Sequence, residues 1–183
     1  MSTNKKDYSY LDKMALEPAK WEDLSDQEFQ MMTFRHCLLY GISQNRKMIP
    51  TLFQLYDTMI QRSSDDQRIK MLTALASTIR KQNKRAIMAL MPFIQVEENG
   101  QVIRTASHFF VNLSFLSNKE FHSGAQILIE LIKNQPEATQ NAHIILGLMD
   151  QDNDKIKKMI LPLQPLLSSE IKSILWNNGV DFM

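Results

Sequence analysis

The sequence predicts an all-α protein, and three observations lead to that class. Leu, Ile and Met are abundant, with 12 methionines, whereas the 183 residues contain only 5 glycines and 6 prolines, so helix formers dominate over tight-turn residues. From residue 26 onward, apolar residues recur at intervals of three and four, which is the periodicity of a buried helix face. The one hairpin-like turn, at residues 97–100, lacks alternating flanks and is better read as a connection between helices.

The N-terminal part of the chain differs from the rest. Its apolar residues are scattered and Glu17 precedes a proline, so residues 1–25 are predicted to form an irregular arm that packs Trp21 on the body, with a short helix near 8–16. Ser25 is followed three residues later by Glu28, the signature of a capping box, and a long helix should begin there. We expect residues 26–183 to form a single all-helical domain.

Polar clusters divide this domain into successive helices. The predicted helices are 26–43, 46–62, 66–81, 84–96, 102–116, 119–134, 137–149, 153–163 and 168–177. The first follows the capping box, the fifth follows the connection at residues 97–100, and the eighth follows a turn in which Asp152 or Asn153 serves as the cap.

Four of the polar turns contain asparagines at a nearly constant interval. Asn45, Asn83, Asn118 and Asn153 are 38, 35 and 35 residues apart, and the positions 8 and 7 before and 3, 7 and 10 after each of them are all apolar. Each unit therefore carries one apolar stripe on each of two successive helices. The twenty residues are Cys37, Leu38, Met48, Leu52, Leu55, Leu75, Ala76, Ala86, Leu90, Phe93, Phe110, Val111, Phe121, Ala125, Leu128, Ile145, Leu146, Ile156, Ile160 and Leu163. This pattern predicts a short α-solenoid of four stacked antiparallel hairpins with a C-terminal capping helix, and a compact helical bundle is the alternative.

The stretch from Phe109 to Pro136 resembles a degenerate tetratricopeptide repeat. In that pattern a proline closes the second helix and a small residue, here Gly124 or Ala125, allows the two helices to approach. The first interval of 38 residues is nearer to HEAT or armadillo units, which have about 40–47 residues. The resemblance covers residues 33–167 as periodicity and 108–136 as a motif, and it implies a helical-repeat protein that binds a macromolecule.

The histidines and the single cysteine predict neither a nucleophile pair nor a metal site. His36 and Cys37 are adjacent, so on a helix they point about 100° apart, and Cys37 is predicted to be a buried core thiol. His108 and His122 lie at unequal distances from their turn, and no two histidines have the four-residue spacing of a zinc site on a helix.

Other catalytic and ligand-binding motifs are also missing from the sequence. Asp150, Asp152 and Asp154 match the first three ligand positions of a calcium loop, but Lys155 replaces the required glycine and Leu161 replaces the bidentate glutamate. No glycine-rich phosphate loop or Gly-x-Ser-x-Gly elbow is present. We therefore predict no enzymatic activity, no catalytic residue, no cofactor and no metal.

The overall charge is balanced, with 21 basic and 20 acidic residues. One local cluster stands out, because Arg80, Lys81, Lys84 and Arg85 lie within six residues and no acid follows before Glu97. These four residues are the candidate partner-binding site, for an acidic partner or phosphates. The alternative is a solvated turn whose cations complement the C-terminus of a helix.

The predicted function is binding of a protein or peptide in a helical groove, as an adaptor, chaperone-like protein or regulatory subunit. Two alternatives are a nucleic-acid-binding helical repeat protein and a structural subunit that docks through Trp176, Phe182 and the N-terminal aromatic residues. The polar N-terminus and the lack of an apolar stretch of 18 residues predict neither a signal peptide nor a membrane span. A single cysteine suits a reducing compartment, so the expected location is the cytoplasm.

Overall fold

The fold consists of α-helices packed in two layers. The computed structural model describes residues 7–81, 88–112, 118–150 and 154–181. Within these ranges, the side chains of residues 79–81, 118 and 120–122 are not described. The all-α prediction is confirmed: these ranges contain no strand and nine α-helices of seven or more residues. The helices are α1 Ser9–Met14, α2 Asp26–Ser43, α3 Ile49–Arg62, α4 Asp65–Lys81, α5 Leu90–Val96, α6 Gly100–Phe110, α7 Asn118–Asn134, α8 Gln140–Met149, α9 Asp154–Ile160 and α10 Ser169–Asn177. Short 3-10 helices cover Pro18–Asp23, Arg46–Met48 and Leu161–Leu166.

Polar side chains determine where several of these helices begin. The predicted capping box is confirmed, since Ser25 accepts from the backbone N–H of Glu28 and Glu28 accepts from the N–H of Ser25. Ser64 at α4, Asn99 at α6 and Ser168 at α10 accept from backbone amides of the first turn in the same way. These caps satisfy backbone donors that have no partner inside the helix.

The consecutive helices α2 and α3, α6 and α7, and α8 and α9 pack on each other as hairpins, and neighbouring units stack. Arg62 at the end of α3 donates to Asp26 at the start of α2 at 2.9 Å, so these two helices run in opposite directions. Helices α2, α4, α6, α8 and α10 contact one another in chain order and form one layer, and the extensive helix contacts all join the same or neighbouring units. This arrangement is the predicted stack of hairpins rather than the compact bundle.

The asparagine turns agree with the prediction where they are described. Asn45 lies between α2 and α3 and accepts from the backbone N–H of Lys47 at 3.1 Å. Asn118 is the first residue of α7, so it lies at a helix end. Asn83 and Asn153 lie outside the described residues, as does the start of the predicted helix 84–96, whose α-helical part begins at Leu90.

Several helix ends differ from the sequence prediction, and three of the differences have a local structural reason. The helix predicted to reach residue 116 ends at Phe110, because Val111 leaves the helical conformation with φ −128° and ψ 14°. The helix predicted from residue 137 begins at Gln140, after a turn in which the Asn141 side chain donates to a backbone carbonyl. The helix predicted to reach residue 163 ends at Ile160, since two prolines in the next six residues cannot donate backbone hydrogen bonds and the chain continues as a 3-10 helix.

The apolar stripes of the repeat form most of the core. Sixteen of the twenty positions are buried, Leu38 and Met48 are half-buried, and the side chains of Ala86 and Phe121 are not described. The predicted core residues Leu52, Leu90, Leu128, Leu146 and Ile160 are all at most 3% exposed. The burial prediction is therefore confirmed.

The N-terminal arm packs against the first hairpin. Trp21 is buried as predicted, and its Nε1–H donates to the carbonyl of Met14 at 2.9 Å. The Trp21 ring meets Phe29 of α2 edge-on at 5.6 Å, and the Arg62 guanidinium lies 4.7 Å above the Phe29 ring. An edge-on aromatic pair and a cation over a ring both add to the energy of apolar burial.

A buried ion pair joins the start of α4 to the end of α5 within the second hairpin. Arg68 Nε donates to Glu97 Oε2 at 2.7 Å, and both side chains are at most 5% exposed. The other two nitrogens of the Arg68 guanidinium donate to the Ser63 carbonyl and to Asp65. Glu97 Oε1 accepts from the backbone N–H of Asn99. The pair is thus enclosed by further hydrogen bonds, as two charges removed from water require.

Candidate partner-binding groove

Arg80 and Lys81 of the basic cluster predicted as the partner site belong to the last turn of α4. That helix extends to Lys81, but the side chains of Arg80 and Lys81 are not described, and Lys84 and Arg85 lie outside the described residues. A role for these four cations in binding stays a prediction.

Cys37 has the environment of a structural thiol. It is 1% exposed, and burial raises its pKa to about 12. A reactive cysteine needs a lowered pKa and access to solvent. The prediction that Cys37 is a core residue is therefore confirmed.

The histidines lie in partly or fully buried surroundings. Burial lowers the pKa of His36, His108 and His143. The side chain of His122 is not described. Within the described ranges, no three residues of the types His, Cys, Asp and Glu are placed to hold a metal ion, and no helix there is both long and apolar enough to cross a membrane.

An open groove lies in the second layer, between α5 and α7. Among the residues that the structure describes, these two helices make few close contacts, although α3 packs extensively on α5 and α6 packs extensively on α8. The gap has a volume of about 480 Å³. Its floor consists of the half-buried apolar side chains of Met91, Ile127 and Leu131, which also pack on the core.

The rim of the groove is polar and nearly neutral. Gln95, Gln126 and Asn134 are exposed at its edges, and within the described part of the chain their amide groups have no hydrogen-bond partner. The one charged side chain on the lining, Glu130, accepts from Lys133 at 2.9 Å. A primary amide donates and accepts hydrogen bonds at the same time, which matches the N–H and C=O groups of a peptide backbone.

None of these groove residues was predicted from the sequence to be functional. One feature of the sequence could have identified them, because the apolar residues of α7 lie on more than one side of the helix. Ala125 and Leu128 cover the core side of that helix, whereas Ile127 and Leu131 are four residues apart on another side. A second apolar pair of this kind indicates a face that one neighbouring helix does not fully cover.

No family model, curated protein or solved structure matches this chain. The resemblance of residues 108–136 to a tetratricopeptide repeat therefore stays a prediction.

Proposed function

We propose that this protein is a non-catalytic binding protein that holds an extended segment of a partner protein in the groove between α5 and α7. The single observation that carries the proposal is the separation of these two helices over an apolar floor. Burial of Met91, Ile127 and Leu131 by a partner would gain about 25 cal/mol for each Å² of apolar surface removed from water. An adaptor, chaperone-like or regulatory role in a reducing, cytoplasmic setting is part of this proposal, supported by the single, buried cysteine.

The lining favours a particular kind of partner segment. An extended peptide places alternate side chains on one side, so apolar residues at every second position reach the floor. Its backbone N–H and C=O groups lie within the reach of Gln95, Gln126 and Asn134 at the rim. Because Glu130 is already paired with Lys133, the groove offers no uncompensated charge, and an uncharged segment fits best.

A peptide-display library selected on the immobilised protein tests the proposal. We expect enriched peptides to carry apolar residues at alternate positions and few charges. The same peptides should not bind the Ile127→Gln, Leu131→Gln variant, which keeps the side-chain length but makes the floor polar. A second variant, Gln95→Ala with Asn134→Ala, changes only exposed side chains and should weaken binding without loss of stability.

A matched control replaces an exposed apolar side chain far from the groove. Leu166, which is 46% exposed after the fourth hairpin, is suitable, and Leu166→Gln should bind the selected peptides like the unchanged protein. Equal binding by the floor and rim variants would contradict the proposal. Enrichment of amphipathic helical peptides would contradict the extended mode of binding.

The alternatives from the sequence predict different results. A salt-dependent shift of mixed RNA or DNA would support nucleic-acid binding. Trp176 is 61% exposed, as docking of a structural subunit requires, and Phe182 lies outside the described residues. Loss of partner binding in Trp176→Ala, but not in the groove variants, would favour the structural-subunit role.

A further inference from the structure

A pocket lies at the C-terminal end of the stack, between α10 and the 3-10 helix that precedes it. Its volume of about 400 Å³ is in the range of small-ligand sites. The lining residues of α10 have the spacing i, i+3, i+4 and i+7, which places them on one side of the helix. They are Ser169, Lys172, Ser173 and Trp176. The core residues of this helix, Ile171 and Leu175, occupy the opposite side.

The end of α10 forms a wall of the pocket. The backbone N–H of Gly179 donates to the Trp176 carbonyl at 2.9 Å, and that of Val180 donates to the Leu175 carbonyl at 3.0 Å. This is the Schellman pattern, which needs a residue with positive φ, and Gly179 has φ 79°. The chain turns back there, so that Val180 is buried and lines the pocket. Gln164 of the 3-10 helix lines it as well.

Trp176 gives the pocket an apolar surface. Its side chain is 61% exposed, although tryptophan is highly buried on average. Among the described residues its Nε1–H has no hydrogen-bond partner, whereas the Nε1–H of the buried Trp21 donates to a backbone carbonyl. An exposed indole beside a concave surface can pack against a planar or apolar group of a ligand.

Lys172 gives the same pocket a cation. Its side chain is half-buried, lies one helical turn before Trp176 and forms no ion pair within the described part of the chain. In that part, the hydroxyls of Ser169 and Ser173 also have no hydrogen-bond partner. These donors favour an anion, because hydrogen bonds between charged groups are the strongest ones. Asp181 lines the pocket too, so a ligand with one negative charge fits better than a polyanion.

We propose that this pocket binds a carboxylate attached to an aromatic or other apolar group. The Lys172 ammonium and the two serine hydroxyls donate to the carboxylate, and the Trp176 ring packs against the apolar group. Two sources carry this chemistry, namely the C-terminal residue of a partner protein and a small free carboxylic acid. The pocket shares no lining residue with the groove between α5 and α7, so this inference does not depend on the proposed function.

Titration calorimetry of the full chain with two pairs of probes tests the proposal. The first pair is phenylpropionate and its amide, and the second is an N-acetylated tripeptide that ends in phenylalanine, with its C-terminus either free or amidated. At least one carboxylate should bind about tenfold or more tightly than its own amide, since the amide cannot form a charged hydrogen bond with Lys172. Binding of neither carboxylate, or equal binding of carboxylates and amides, would overturn the proposal.

Comparison of the two carboxylates identifies the source of the ligand. Tighter binding of the tripeptide than of phenylpropionate would indicate the C-terminus of a partner protein. Tighter binding of phenylpropionate would indicate a small free acid, because the longer peptide then gains nothing from its additional residues. Both results support the carboxylate chemistry of the pocket.

Two variants place the ligand in this pocket. Lys172→Gln should lose the preference for carboxylate over amide, and Trp176→Ala should weaken binding of both. Each should keep the melting temperature of the unchanged protein, because neither side chain is buried in the core. Lys158→Gln is the matched control, an exposed lysine of α9 outside the pocket, and should bind like the unchanged protein. An unchanged carboxylate preference in Lys172→Gln would contradict the proposal.

Discussion

Gly147 of α8 lies directly against the backbone of α6, such that a β-carbon at position 147 would fall 2.3 Å from the carbonyl oxygen of Arg104. Arg104 in turn holds Asp150 at the end of α8 through two hydrogen bonds of 2.6 and 2.9 Å. The same β-carbon would also lie 2.8 Å from the β-carbon of Ser107. The absence of a side chain at position 147 thus allows the close, parallel packing of α6 and α8.

Gly147→Ala should destabilise the protein even though alanine favours helix by about 1 kcal/mol. The obstructing atom belongs to the backbone of a helix and cannot rotate away, so the two helices must separate. We expect a net loss of about 1–3 kcal/mol, typical of overpacking. Urea unfolding followed by circular dichroism measures it, and a variant as stable as the unchanged protein would show that α6 and α8 are farther apart.

Gly100 provides the comparison for Gly147. A β-carbon at Gly100 would fall 2.3 Å from the ring of His143, which is a side chain that mutation can remove. Gly100→Ala should therefore destabilise the unchanged protein and be tolerated when combined with His143→Ala. His143→Ala should not rescue Gly147→Ala, whose obstacle is backbone. Rescue of both glycine variants, or of neither, would contradict this distinction.

Truncation of the repeat leucines tests the core. Leu52→Ala, Leu90→Ala and Leu128→Ala should each cost about 2–5 kcal/mol, because each removes a buried side chain and leaves a cavity. Leu166→Ala at an exposed site should change the free energy of unfolding by no more than about 0.5 kcal/mol. A core variant with an effect as small as this control would show that its position is outside the packed stripe.

Because Arg68 and Glu97 form a buried ion pair, we expect the effects of substituting them on the free energy of unfolding to be non-additive. Arg68→Ala leaves the Glu97 carboxylate buried without a counter-ion, which should cost about 3–5 kcal/mol. The double variant Arg68→Met, Glu97→Leu removes both charges and replaces them with apolar side chains, so it should be more stable than Arg68→Ala. Chemical denaturation of the two variants measures the difference. A double variant less stable than the single one would show that the unpaired Glu97 carboxylate is not the main cost of Arg68→Ala.

We expect the folded protein to lose stability in mild acid because of His36. Burial lowers its pKa, although Asp12 and a hydrogen bond to the backbone of Met48 act in the opposite direction. The unfolded chain therefore binds a proton more readily than the folded chain. The contribution of neutral His36 to the free energy of unfolding is fully present above the ordinary pKa of about 6.5. It is lost as the pH falls through the lowered pKa of the folded state.

The unfolding free energy measured between about pH 7 and pH 5 checks this expectation. His36→Gln should show a shallower fall with decreasing pH than the unchanged protein. His108 and His143, whose pKa values burial also lowers, contribute to the slope that is left. An identical slope in the variant would show that His36 titrates alike in the folded and unfolded chains.

The sequence alone determined the elements of this fold and the residues of its core. The stripe that includes Leu52, Leu90 and Leu128 identified both helices of each hairpin, because helical periodicity is a local property of the chain. The Ser25 capping box and the turn at Asn45 were predictable for the same reason. The ends of α6 and α8 were not, since the conformations of Val111 and of the turn before Gln140 depend on contacts made by neighbouring helices.

The tertiary structure alone decided which surfaces are covered. Arg68 and Glu97 are 29 residues apart and become partners only when the end of α5 returns to the start of α4. The apolar periodicity that includes Ile127, Leu131 and Ile42 shows that these residues avoid water, but it does not specify whether another helix packs over them. Coverage depends on the distance between helices that are remote in sequence, as the gap between α5 and α7 demonstrates.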